Sequence, residues 1–308
     1  MDAMDSRGHA VTYAAIDIGS NAVRLLIKQL EDDLQPRFNK VLLLRVPLRL
    51  GFDVFSNGGS ISDRKRKDLV RLMKSYKQLM KIYDVTDYRA CATSAMRDAA
   101  NGADIIREVR KKTGISIEII DGQEEARMVY NNHIEAMKSR KGNYMYVDVG
   151  GGSTEINLLA DGELICSRSY NIGTVRMLNS SVSEGEWKRF RSDLEDLAVS
   201  YPGINIIGSG GNINKLYKLV ERRDKRYPRM HTSSLQALHD RLKEMSVKER
   251  MDEYDLKPDR ADVIVPAGEI FLTIADITGA AYIYVPVIGL SDGIIDGLYT
   301  KHLAELSR

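Results

Sequence analysis

Val147-Asp148-Val149-Gly150-Gly151-Gly152-Ser153-Thr154-Glu155 reads as an apolar strand ending in an aspartate, a glycine loop, and the start of a second strand. An earlier stretch echoes it: Ala15-Ile16-Asp17-Ile18-Gly19-Ser20-Asn21-Ala22-Val23-Arg24-Leu25. The same strand, aspartate and glycine-loop unit opens each half of the chain. The simplest architecture that repeats such a unit is a pair of related α/β lobes with a cleft between them, one over residues 1–128 and one over 129–308.

Working outward, Ser62 is placed to cap a helix on which Leu69, Leu72, Met73, Tyr76, Leu79, Met80 and Tyr83 recur at helical spacing. A strand near 88–92, a helix over 103–112, a strand at 115–120 and a helix from about 123 to 137 follow, with Gly114 and Gly122 as punctuation. Beyond the second loop, Asp161 and Gly162 mark a hairpin turn. Helices over 183–199, 213–220, 233–245, 263–275 and 292–306, with a strand at 204–207, complete the second lobe. The last helix is in a position to pack back on the first lobe.

A chain of 308 residues, 43% hydrophobic and 29% charged, can bury a sizeable core. A formal net charge of +2 is too balanced for a nucleic-acid coat. Basic clusters at 64–67, 138–141 and 222–229 could steer an anion, although solvated helix faces are the commoner origin of such runs. The two cysteines, Cys91 and Cys166, have neither metal-site nor disulfide-framework spacing and fit a reducing compartment. Residues 1–10 lack the apolar core of a secretory signal, and the apolar stretch 261–287 is interrupted by Pro266, Glu269, Asp276, Gly279 and Pro286. A cytoplasmic protein with no membrane span is the expectation.

Glycine turns after a strand let backbone N–H groups converge on an anion, and a nearby Ser or Thr adds a hydroxyl donor. A lone hairpin with Gly and Asn is an ordinary connector. Two of them, each preceded by an aspartate on an apolar strand, need a further cause, because a buried carboxylate requires a cation or donors. Asp17 and Asp148 are therefore candidate metal or water ligands. Neither loop has the Lys-Ser/Thr ending of a nucleotide P-loop, and neither leads into the helix of a dinucleotide fingerprint.

Two hairpins with facing loops resemble the superfamily of actin, heat-shock chaperones, and sugar and acetate kinases. Further runs narrow the resemblance: Ala92-Thr93-Ser94-Ala95-Met96-Arg97, Asp121-Gly122-Gln123-Glu124-Glu125-Ala126-Arg127, Gly208-Ser209-Gly210-Gly211-Asn212 and Gly289-Leu290-Ser291-Asp292-Gly293. Taken with the two loops, they make the chain similar over nearly its whole length to the exopolyphosphatase and guanosine pentaphosphate phosphohydrolase family. The resemblance implies actin-like lobes. It also implies that Glu125, rather than Glu124, is the base activating water. Asp148 and Glu155, with Asp17 from the other lobe, would bind a divalent metal, normally magnesium, with manganese as the alternative. Gly19, Ser20, Asn21, Gly150, Gly151, Gly152, Ser153 and Thr154 would hold the terminal phosphate, and Arg24 and Arg97 would neutralise it. Gly210 lies where the superfamily places nucleotide, although a glycine there also suits a plain strand-to-helix turn. Glu124 and Glu125 open a helix, where acidic residues are favoured by the dipole alone.

Long family members add a C-terminal helical domain; this chain resembles the short form. The implied activity is hydrolysis of the terminal phosphoanhydride of inorganic polyphosphate. Guanosine pentaphosphate 5′-phosphohydrolysis is the sister reading, and a polyphosphate or ATP phosphotransferase and a non-catalytic nucleotide sensor are further ones. A homodimer is compatible with the sequence, but no heptad or apolar stripe demonstrates one.

Overall fold

A computed structural model describes residues 11–32, 37–56, 58–128, 141–222, 224, 227–286 and 289–306. Its strands are β1 Thr12–Ile18, β2 Val23–Asp32, β3 Arg37–Val46, β4 Asp87–Ala92, β5 Ile117–Ile119, β6 Asn143–Val149, β7 Thr154–Ala160, β8 Glu163–Tyr170, β9 Asn205–Ser209, β10 Arg229–His231 and β11 Tyr282–Tyr284. They form two mixed sheets, in the orders β3-β2-β1-β4-β5 and β10-β11-β9-β6-β7-β8. From β3 to β5 the steps run antiparallel, antiparallel, parallel, parallel. The series from β8 to β11 is the same, and β10 adds an antiparallel edge. The echo of the two loops thus extends to whole sheets, and the α/β class expected from the sequence holds in both halves.

The chain divides into two compact units, Met1–Asp121 with Leu290–Arg308, and Gly122–Gly289. In the first, every residue of β1 is buried, as a central strand with neighbours on both sides requires. Helix Asp63–Ile82 starts at Ser62, whose hydroxyl accepts from the Lys65 N–H, and it buries Leu69, Val70, Met73, Tyr76 and Met80. Helix Gly102–Thr113 packs beside it and stops where Gly114 turns left-handed at φ 78°. Helix Leu290–Leu306 covers β1, β2 and β4. There Lys28 pairs with Asp292 at 2.6 Å, and Tyr13 meets His302 edge to face.

In the second unit, helix Ile264–Thr278 is the central pillar and packs on Glu184–Ser200, Gly211–Leu219 and Thr232–Glu244. Pro266 is harmless in its first turn, where no helical N–H bond is needed. The turn between β7 and β8 has Asp161 at φ 51° and Gly162 at φ 86°, as a two-residue hairpin demands. The 123–137 helix expected from the sequence is seen over 122–128, and the rest of it lies outside the described residues. Among the described residues no helix is long and apolar enough to cross a membrane.

His239 is buried where Thr232–Glu244 crosses Ile264–Thr278, and a Cβ on Gly268 would come within 2.8 Å of its ring. Burial lowers the His239 pKa, outweighing Glu269 and Asp240, which raise it, and Lys243 lowers it further. The unfolded imidazole takes a proton below about pH 6.5, while the folded one resists it. The unfolded state then binds more protons, so stability falls as pH drops below that value. Denaturant melts at pH 7.5 and 5.5 should show this loss, by up to about 1.4 kcal/mol per pH unit, and His239→Leu should reduce it. An unchanged pH dependence in the variant would assign the effect elsewhere.

Candidate active site

In the first unit, β1 and β2 are joined by residues 19–22, and the Gly19 N–H closes the turn on the Ala22 carbonyl at 3.1 Å. In the second, β6 and β7 are joined by 150–153, and the Gly150 N–H closes on the Ser153 carbonyl at 2.9 Å. The two turns are built alike, but the residues flanking them differ. Asp17 stands directly across the ladder from Arg24, and Asp148 stands directly across from Glu155.

That register decides the electrostatics. Arg24 Nη1 donates to Asp17 Oδ2 at 2.6 Å, so the first hairpin carries an acid–base pair beneath its loop. Both residues are thus engaged with each other: Asp17 was expected to ligate metal and Arg24 to neutralise phosphate. Nearby Tyr76 donates from its hydroxyl to the Val23 carbonyl, and its pKa is raised by burial and then by the Asp17 charge, against Arg24. The phenol therefore stays protonated. The second hairpin places two carboxylates opposite each other, an arrangement that is unfavourable without a cation or donors. Ser169 Oγ supplies one donor, to Glu155 Oε1 at 2.9 Å.

Glycines crowd around these carboxylates. A Cβ on Gly210 would lie 2.6 Å from Asp148 Oδ1, so the turn from β9 into helix Gly211–Leu219 abuts the aspartate and is more than a connector. A Cβ on Gly122 would collide with Ser169 and lie 3.7 Å from Glu155 Oε1. The helical segment 122–128 is held on this side of the sheet by Asn157, which donates to the Ala126 carbonyl at 2.9 Å. Glu125 belongs to that segment and is only 8% exposed, whereas Glu124 is less buried. Glu125, Asp148, Glu155, the second glycine loop and Gly210 all belong to one unit.

Each loop is braced by a five-residue helix that follows the third strand of its sheet. After β8, Thr174–Leu178 sends the N–H groups of Thr174 and Val175 to the carbonyls of Gly150 and Gly151, at 3.0 and 2.7 Å. Arg176 Nε donates to the Gly152 carbonyl at 2.6 Å. The loop's carbonyls are thereby committed, while among the described residues the N–H groups of Gly151, Gly152 and Ser153 are bonded to no acceptor. Acceptors tied back and donors left over make an anion cradle. Gly173 permits the close approach, since its Cβ would lie 2.5 Å from Gly152 C and Ser153 N. Thr154, expected to bind phosphate, instead donates its hydroxyl to the Ile172 carbonyl at 2.5 Å. After β3, Leu50–Val54 braces the first loop in the same way: the N–H groups of Arg49 and Gly51 donate to the carbonyls of Asn21 and Ser20 at 3.0 and 2.8 Å.

Ser20 is buried, with its hydroxyl 2.9 Å from that of Ser94. Arg97 donates to the Ile120 carbonyl at 3.1 Å and lies 3.6 Å from Asp98. Arg176, which bonds the second loop, and Ser169, which bonds Glu155, were not singled out from the sequence. The run Gly173-Thr174-Val175-Arg176, a third glycine turn after a strand, was the available signal. Among the described residues, no group of three or more His, Cys, Asp or Glu is gathered to hold a metal unaided. The pair Asp148 and Glu155 nevertheless suits magnesium, which uses one or two carboxylates and fills its remaining positions with water and phosphate oxygens.

The sequence matches the profile of the Ppx/GppA phosphatase family over residues 27–302. It is 26% identical, over 93% of its length, to a guanosine-5′-triphosphate,3′-diphosphate pyrophosphatase from Aeromonas hydrophila. It is also 26% identical, over 63% of its length, to exopolyphosphatase 1 from Mycobacterium tuberculosis. The matches span 59% and 57% of those two proteins. The crystal structure of the Aquifex aeolicus Ppx/GppA family member superposes with a TM-score of 0.75 at 28% identity, covering 95% of this chain and 98% of that one.

Proposed function

From the premise that this chain belongs to the Ppx/GppA phosphatase family, we propose that it hydrolyses the terminal phosphoanhydride of a polyanion, with inorganic polyphosphate as the substrate and orthophosphate as the product. The observation that carries the reading is the Asp148–Glu155 pair beneath a glycine loop whose carbonyls are committed and in which, among the described residues, the N–H groups of Gly151, Gly152 and Ser153 meet no protein acceptor. Such a site calls for a cation and a phosphate together.

The N–H groups of Gly151, Gly152 and Ser153 hold the terminal phosphate, with Gly150 and Gly210 shaping the cradle. Asp148 and Glu155 hold magnesium, or manganese in its place, which when bound supplies positive charge to the phosphate oxygens. Glu125 takes a proton from the attacking water. The water oxygen bonds to the terminal phosphorus as the bridging P–O bond breaks, and the bridging oxygen leaves with the electron pair on the shortened chain. The Glu125 proton then passes to solvent. In the first unit, Ser20 and Asn21 bind phosphate through their N–H groups, with Gly19 shaping the turn and Arg97 as a further cation, while Asp17 holds Arg24.

In the basic runs at 64–67 and 222–229, part of the charge is already paired, and the run at 138–141 lies, apart from Lys141, outside the described residues. Lys65 is paired with Asp53, Arg66 with Asp63 and Glu108, and Arg229 with Asp224. The test is phosphate release in magnesium from long polyphosphate, tripolyphosphate and guanosine pentaphosphate side by side. Fastest release from a polyphosphate is the expected result. Release from the nucleotide alone would transfer the function to the sister activity, and release from none would overturn hydrolysis.

A further inference from the structure

Among the differences between the two loop braces is the residue that precedes each helix. Gly173 precedes the second brace helix with no side chain and an extended backbone, φ −143°. Its counterpart before the first is Arg49, held in the left-handed region at φ 53°, ψ 45°. That conformation is unfavourable for an arginine and easy for glycine. The second brace shows that tying down a loop needs no side chain at this position, so bracing alone does not account for an arginine here.

The surroundings hold Arg49 in place. Lys65 Nζ donates to the Arg49 carbonyl at 2.6 Å and pairs with Asp53 at 2.5 Å, and Asp53 Oδ2 accepts from the Ser62 N–H at 2.9 Å. The Arg49 guanidinium lies over the Phe52 ring, 3.7 Å from its centre, a cation–π contact that helps fix the side chain. Its own N–H is on the Asn21 carbonyl, so the side chain springs from the rim of the first loop. Arg24, the cation that the sequence assigned to that loop, is engaged with Asp17. Backbone strain kept at such a place points to function.

We propose that Arg49 is a phosphate-contacting cation of the first loop, taking oxygens of an anionic phosphate chain bound there; the proposal rests on the phosphohydrolase reading for the identity of the ligand. Arg49→Gly separates the roles, because it restores the glycine of the other brace and relieves the strain. Melting temperature should rise by about 2 °C, and tripolyphosphate affinity should fall about tenfold, the effect of one lost charge-assisted hydrogen bond. Calorimetric titration of tripolyphosphate in a Glu125→Gln background reads affinity without turnover. Phosphate release by the unmodified protein tests the hydrolase reading separately. Unchanged affinity would overturn the proposal, and so would a lower melting temperature, which would make the side chain a packing element. Arg49→Asn, which tolerates the same backbone region, serves if the glycine variant does not fold.

Discussion

Glu125→Gln is expected to slow phosphate release by about 10² to 10⁴-fold while leaving tripolyphosphate binding close to unchanged. Gln keeps the shape of the side chain and removes its capacity to hold a proton from water. The segment that carries Glu125 is fixed from outside, by Asn157 on the Ala126 carbonyl and by the tight seat of Gly122 against Ser169. The substitution therefore changes the chemistry and leaves the position alone. Single-turnover release and equilibrium binding, measured on the same preparation, check the two halves of the statement. Equal turnover would remove Glu125 from the reaction, and lost binding would make it a ligand contact.

Glu155→Gln should produce the next largest effect, with a signature that activity alone cannot supply. Without magnesium the variant should be as stable as the parent or more so, by about 0.5 kcal/mol, because the like charge facing Asp148 across the ladder is gone. The Ser169 hydroxyl can still donate to the amide oxygen of Gln. With magnesium, the rise in melting temperature that a bound cation confers on the parent should shrink or vanish. Phosphate release should fall about 10²-fold, since the positive charge at the phosphate is weakened. An undiminished magnesium-dependent rise in the variant would mean that Glu155 does not hold the ion.

Much of this could be read from the residues because the fold repeats itself. Two Asp-and-glycine hairpins announce two sheets, and each long helix carries its signal locally, such as the Ser62 cap and the stop at Gly114. Contacts across long sequence distances were hidden. Gly210 meets Asp148 because β6 and β9 pair in parallel, Asp148 beside Ser209, and no periodicity in either strand reports that pairing. The three-residue strands β10 and β11 are too short for a pattern, as are the two five-residue braces, whereas β5 lies within the strand expected at 115–120. The Asp17–Arg24 pair was legible in principle, since residues equally spaced about a four-residue hairpin loop face one another. Residue type alone assigns each of them a separate ligand, and only the ladder shows that each is the other's partner.

The closing helix, Leu290–Leu306, packs on strands made nearly 280 residues earlier, from Thr12 to Ile18. The second unit, by contrast, is one continuous stretch from Gly122 to Gly289. On the ribosome the order of completion is therefore reversed with respect to the order of synthesis. The half translated first must wait with Tyr13 uncovered, while the half translated second already has all its parts once residue 289 has emerged. Nascent chains arrested before the last helix would carry one finished half and one exposed sheet, the form in which this protein would most need a chaperone.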